Sequence, residues 1–124
     1  MPQPRSKSIL IVEDDASLLA ALVFAFEADG FVVYAFGRGS PLLSAPVHPD
    51  CMVIDMRLPD TNGLTLVSRL RERGVWAPAI LTTTNPDERI RRTAEAMGVQ
   101  IVEKPLITGE LRARIDELIT ANQR

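Results

Sequence analysis

Four short apolar runs in this chain each stop on a group that can do chemistry. Ser8-Ile9-Leu10-Ile11-Val12 ends in Glu13-Asp14-Asp15, and Cys51-Met52-Val53-Ile54 ends in Asp55. Pro78-Ala79-Ile80-Leu81-Thr82 runs into Thr83 and Thr84, and Val99 to Val102 into Glu103-Lys104-Pro105. If the runs lie side by side, three carboxylates, a hydroxyl and an ammonium converge. Carboxylates gathered in that way repel one another unless a cation sits among them. Hard oxygen ligands with room for water favour Mg²⁺, with Mn²⁺ as a substitute, over zinc. A carboxylate such as Asp55 can then be a nucleophile that takes a phosphoryl group as an acyl phosphate. The charge spread over the phosphoryl oxygens calls for a metal, an ammonium and a hydroxyl around it. Lys104 suits the second role and Thr83 the third, with Thr82 left open as a rival hydroxyl.

The elements that must position these groups follow from periodicity. The runs are short and rich in β-branched residues, which reads as strands buried on both faces of a parallel sheet. Leu18, Leu22 and Phe26 recur at helical spacing before Gly30, and Phe31 to Ala35 reads as a second strand. Ser40-Pro41 fits the cap and first position of a short helix through Ser44. Leu64, Val67 and Leu70 mark a helix up to Gly74. Asn85-Pro86-Asp87-Glu88 reads as a helix start, with Asn85 as cap and acids in the first turn. Ile90, Ala94 and Met97 form that helix's apolar face, and Gly98 ends it. Thr108 is placed to cap a last helix with Leu111, Ile115 and Leu118 inward. Strand and helix alternate five times, which predicts a doubly wound α/β fold, a five-stranded parallel sheet with helices on both faces. Ligands of open parallel sheets bind outside the carboxyl ends of the strands, where every polar break falls.

Composition excludes several classes. The chain has 124 residues, 46% hydrophobic, with a formal charge of −2. That length suits one domain, and near-neutrality argues against a dedicated nucleic-acid binder. A single cysteine, Cys51, makes no internal disulfide and reads as a small core residue. No apolar run approaches the ~20 residues needed to span a bilayer, and Met1 to Ser8 is too polar for a signal peptide, so a cytoplasmic protein is expected. Residues 1–7 read as a loose tail and residues 8–122 as the domain. Arginine is the habitual cation, and the two lysines are Lys7, in the tail, and Lys104. A compact ammonium is not interchangeable with a guanidinium in a tight phosphoryl pocket, which singles out Lys104. His48 reads as a surface loop residue. The arginines at 69, 71, 73, 89, 91 and 92 read as solvated helix faces.

Taken together, Ile9-Leu10-Ile11-Val12-Glu13-Asp14-Asp15, the stretch from Val53 to Gly63, Pro78-Ala79-Ile80-Leu81-Thr82-Thr83 and Val102-Glu103-Lys104-Pro105 resemble the receiver domain of two-component response regulators, a CheY-like superfamily. The resemblance covers about Ser8 to Ala121. It implies a flavodoxin-like (βα)5 fold of strand order 2-1-3-4-5 and phosphorylation of Asp55 by a histidine kinase or phosphotransfer protein. It implies Mg²⁺ held by Asp14, Asp55 and the Arg57 backbone carbonyl, with Glu13 acting through water and Asp15 serving as a helix cap. Thr83 and Lys104 would meet the phosphoryl group, and Lys104-Pro105 resembles the family's cis-proline step. Kinase or phosphotransfer helices would dock near the first helix, whose Leu19, Ala20, Val23 and Phe24 exceed what one core face needs.

Three departures stand out. Ile101 replaces the usual Tyr or Phe switch residue, Thr84 stands where Ala or Gly is usual, and Gly98 to Lys104 is one residue short. Two alternatives follow: a degenerate receiver that docks without phosphate, and an aspartyl-phosphate phosphatase. The second would need an acid two residues after Asp55, where Arg57 stands. Direct DNA binding is not expected; a homodimer through the last two helices is left open, as is the downstream partner.

Overall fold

The structure, a computed structural model, describes residues 6–123, so most of the expected tail lies outside the described residues. Five strands form one parallel sheet: β1 (Ser8–Val12), β2 (Val32–Phe36), β3 (Cys51–Asp55), β4 (Ala79–Thr83) and β5 (Gln100–Glu103). Their order is β2-β1-β3-β4-β5, the order that the resemblance to receiver domains implies. Five helices alternate with them: α1 (Ala16–Ala28), α2 (Ser40–Ser44), α3 (Gly63–Glu72), α4 (Glu88–Ala96) and α5 (Thr108–Asn122).

The uninterrupted apolar strands make sense once both faces are seen to be covered. Successive side chains of a strand point to opposite faces. Leu10, Val12, Met52, Ile54 and Leu81 pack under α2, α3 and α4 with Leu42, Leu66, Val67, Leu70 and Ala94. Ile9, Ile11, Cys51, Val53 and Ile80 pack under α1 and α5 with Leu22, Phe26, Leu111, Ile115 and Ile119. Each fully buried aliphatic side chain contributes about 1.5–3 kcal/mol, so the two clusters account for the cohesion of the layers. Burial pushes the Cys51 thiol up to about 12, in keeping with an inert core residue.

Several local expectations need correction. Helix α4 starts later than the first capping residue along the chain, whereas α2 and α5 start one residue earlier than expected. The cap of α4 is Asp87, whose carboxylate accepts from the Ile90 amide at 2.8 Å; Asn85 instead sits in the left-handed region at φ 48°. In α2, Ser40 is already helical, the cap position is Gly39, and its amides are met by a carboxylate from elsewhere in the chain. The cap position of α5 is Ile107, with no side-chain bond, so Thr108 is not the cap. In α5, Leu118 packs partly buried against the core as expected, and Ile119 beside it is the more deeply buried. β2 begins one residue later than expected, because Phe31 packs edge-on against Phe26. Arg71 is not simply solvated: it donates to the Met97 carbonyl at 2.5 Å and lies over the Trp76 ring.

Candidate functional site

The convergence expected at the carboxyl edge of the sheet is present. Register aligns Val12 with Ile54 and Asp55 with Thr82, so the residues that follow β1 and close β3 are neighbours across the strands. One cavity of about 640 Å³ is lined by Glu13, Asp14, Asp15, Asp55, Arg57, Thr83, Thr84, Asn85 and Lys104. Thr82 is buried but absent from this lining, whereas Thr83 is part of it.

Two of the acids are nearly sealed, Glu13 at 2% and Asp55 at 5% exposure. Ionised carboxylates that buried are costly unless they are partnered. The Lys104 ammonium donates to both, at 2.8 Å to Glu13 Oε1 and 3.2 Å to Asp55 Oδ2. Burial alone would favour the neutral amine, but the hydrogen bonds to Glu13 and Asp55 and their charges outweigh it, and the Lys104 pKa lies above its ordinary 10.5. Backbone amides complete the hold: Asp15 donates to Glu13 Oε2 at 3.1 Å, and Arg57 to Asp55 Oδ1 at 3.3 Å. Asp14 lies exposed, without a hydrogen bond or ion pair among the described residues. Asp15 caps α1 by accepting from the Leu18 amide at 3.0 Å.

The local chain explains this placement. A helix or loop follows each strand end, and Gly63 lets α3 start directly against the end of β3. A Cβ on Gly63 would stand 2.6 Å from the Asp55 carbonyl oxygen, closer than any side chain permits. The amide of Met56 bonds the Thr82 carbonyl at 2.9 Å, tying the end of β3 to β4. The Lys104–Pro105 peptide is cis, and the Lys104 amide donates to the Thr83 carbonyl at 2.8 Å.

Three of the acids are close enough together that they could share one cation. Glu13, Asp14 and Asp55 each offer a carboxylate oxygen, and these oxygens lie within 4.8 Å of one another. All are hard oxygen donors, which suits Mg²⁺ or Mn²⁺ better than zinc.

Residues 9–116 match the response regulator receiver domain family. The chain belongs to that family. Over 118 residues this receiver is 31% identical to the transcriptional regulatory protein PmrA of Pectobacterium parmentieri, an alignment covering 93% of this chain and 53% of PmrA. The receiver domain of the TMAO respiratory system response regulator TorR superposes with a TM-score of 0.81 at 34% identity, covering 93% of this chain and 98% of that one. A CheY-like receiver domain protein from Methanospirillum hungatei shares the fold, with a TM-score of 0.88 at 20% identity and coverage of 96% and 98%. The chain spans about half the length of the transcriptional regulators it matches. Receiver domains are in general signalling modules that bind Mg²⁺ at an acidic pocket and interact with histidine kinases and output domains.

Within the receiver, Ile101 is half-buried and packs with Ile90 and Met97 against the cluster beneath α2, α3 and α4. Two pocket residues carried no functional expectation. Asn85, expected as a helix cap, instead has a left-handed backbone and lies in the pocket wall. Asp15 lines the pocket while also capping α1, a double role that spacing alone cannot reveal. Among the described residues no helix is long and apolar enough to cross a membrane.

Proposed function

We propose that residues 8–122 form a receiver unit that accepts a phosphoryl group on Asp55 from a phosphohistidine of a sensor kinase or phosphotransfer protein. The reaction needs Mg²⁺, and the charge it installs changes which proteins the domain binds, in the cytoplasm. The observation that carries this reading is a buried Asp55 with the Lys104 ammonium at 3.2 Å and two further acids at hand.

In the transfer, an Asp55 oxygen forms a new bond to phosphorus while the phosphorus–nitrogen bond of the donor breaks, its electron pair leaving with the imidazole. With acetyl phosphate as donor the leaving group is acetate. Glu13, Asp14, Asp55 and the Arg57 carbonyl would hold the Mg²⁺, which when bound supplies positive charge to the phosphoryl oxygens. Lys104 holds Asp55 and is near enough to follow the incoming oxygens. Thr83 is buried, and its hydroxyl makes one long contact, 3.5 Å to the Thr84 carbonyl. That hydroxyl is available to a phosphoryl oxygen, and Thr84 stands beside it at the exposed rim. Ile101 supplies aliphatic packing where the family usually carries an aromatic switch. It is the observation behind a second reading, a domain that docks without phosphate. Phe24 on α1, 78% exposed, supports docking of the kinase or phosphotransfer helix on that face.

Acetyl phosphate with Mg²⁺ should add about 80 Da to the wild-type chain and nothing to Asp55→Asn, as read by intact-mass spectrometry. Equal labelling of the two proteins would remove Asp55 from its role.

A further inference from the structure

The loop between β3 and α3 carries the Arg57 carbonyl, and its amide end also holds the phosphoacceptor. Its base is well fixed. Met56 bonds to β4, the Gly63 amide returns to the Met56 carbonyl at 2.8 Å, and Arg57 and Asn62 form an antiparallel bridge. The tip closes on itself through the Leu58 amide and Thr61 carbonyl at 3.1 Å. Only one side chain of residues 58–61 reaches beyond the loop by hydrogen bonds among the described residues. Asp60 accepts from the Gly39 amide at 3.0 Å and from the Ser40 amide at 2.7 Å.

Those two amides open α2, whose cap position makes no side-chain bond of its own. Asp60 therefore caps α2 from twenty residues away in the chain. The contact is tightly framed: a Cβ on Gly39 would stand 3.0 Å from a Leu66 methyl and 3.1 Å from the Thr61 methyl. Gly39 is buried, so without Asp60 its amide loses both this partner and easy access to water. The same bonds hold the Asp60 carboxyl below its ordinary 3.8, the Gly39 amide acting most strongly.

We propose that Asp60 is a positioning residue for the divalent-cation site: by anchoring the loop tip to α2, it holds the Arg57 carbonyl and amide in place beside Asp55. This rests on the phosphoacceptor reading above. Outer groups that orient metal ligands change affinity by about 10–100-fold when removed; Asp60 acts through the backbone, so a smaller effect, about three- to tenfold, is expected.

The test is Mg²⁺ titration of the full chain, followed by amide chemical shifts, for wild type, Asp60→Ala, Asp60→Asn and Leu43→Ala. Leu43 lies on α2 and packs on the core without touching the pocket, so its truncation loosens α2 by another route. Asp60→Ala should weaken Mg²⁺ about three- to tenfold, Asp60→Asn should recover part of the loss through its one acceptor oxygen, and Leu43→Ala should titrate like wild type despite a lower Tm. Wild-type affinity in Asp60→Ala overturns the proposal. So does an equal loss in Leu43→Ala, which would make the effect one of general loosening. A wild-type chain that binds no Mg²⁺ overturns the phosphoacceptor reading itself, and the proposal with it.

Discussion

The two walls of the pocket are built to different standards of rigidity. On the β1–β3 side, Glu13 and Asp55 are buried, each accepts a backbone amide, and both take the same ammonium. On the β4–β5 side, Thr83 has one long contact, Thr84 and Asn85 are exposed, and β5 is only four residues long with no fully buried position. The helix that covers this side, α4, buries only Ala94, whereas α3 buries five residues. Segments with few buried contacts open and shift most readily. On the phosphoacceptor reading proposed above, the acid wall is preorganised for transfer and the threonine wall is the one free to respond to it.

The largest expected effect breaks the rigid wall. Lys104→Ala should slow phosphorylation by acetyl phosphate by about 10²–10³-fold, since a fixed cation facing developing charge is lost. Mg²⁺ affinity should not fall, because the competing ammonium is gone. Mass-spectrometric rates beside an Mg²⁺ titration check both halves; a loss of rate that tracks a loss of Mg²⁺ binding would assign Lys104 a purely structural role.

A smaller effect is expected on the looser wall. Thr83→Ala removes one hydrogen bond worth about 0.5–1.5 kcal/mol, so phosphorylation should slow by about tenfold at most. Its consequence belongs to transmission instead. Amide shifts on adding beryllofluoride should spread to Ile90 and Ile101 in the wild type and stay within the pocket in Thr83→Ala. If they spread equally in both, the contrast between the walls does not depend on this hydroxyl.

The smallest effect concerns the tether of the rigid wall to α2. Asp60 has a native pKa below its ordinary 3.8, because the Gly39 and Ser40 amides favour the carboxylate. The unfolded chain therefore binds that proton more readily, and the tether's contribution is intact above 3.8 and lost as the pH falls through the lower native value. The Tm difference between wild type and Asp60→Asn should be steady near neutrality and shrink in acid below 3.8. A difference that grows in acid would reverse the sign and remove the carboxylate from the contact.

Much of this arrangement was legible along the chain. Apolar runs closed by Glu13, Asp55, Thr83 and Lys104 announced both the strands and the edge where chemistry sits, because a strand buried on two faces has no other place for a charge. The choice of Thr83 over Thr82 was not legible, since it depends on which hydroxyl the end of β4 turns into the cavity. The caps at Asn85, Ser40 and Thr108 were misplaced for a related reason: each is a plausible acceptor locally, and only the path of the neighbouring loop decides which amide it can reach.

By itself, the sequence determined the alternation of elements, the two-faced core and the residue types of the pocket, all of which follow from short-range periodicity and the cost of burying charge. Tertiary structure alone decided the partnerships. Lys104 lies 91 residues from Glu13 and 49 from Asp55 in the chain, and Asp60 caps a helix 20 residues behind it. Such contacts form only when strand register and loop closure bring distant backbone together, and neither leaves a periodic trace for the sequence to display.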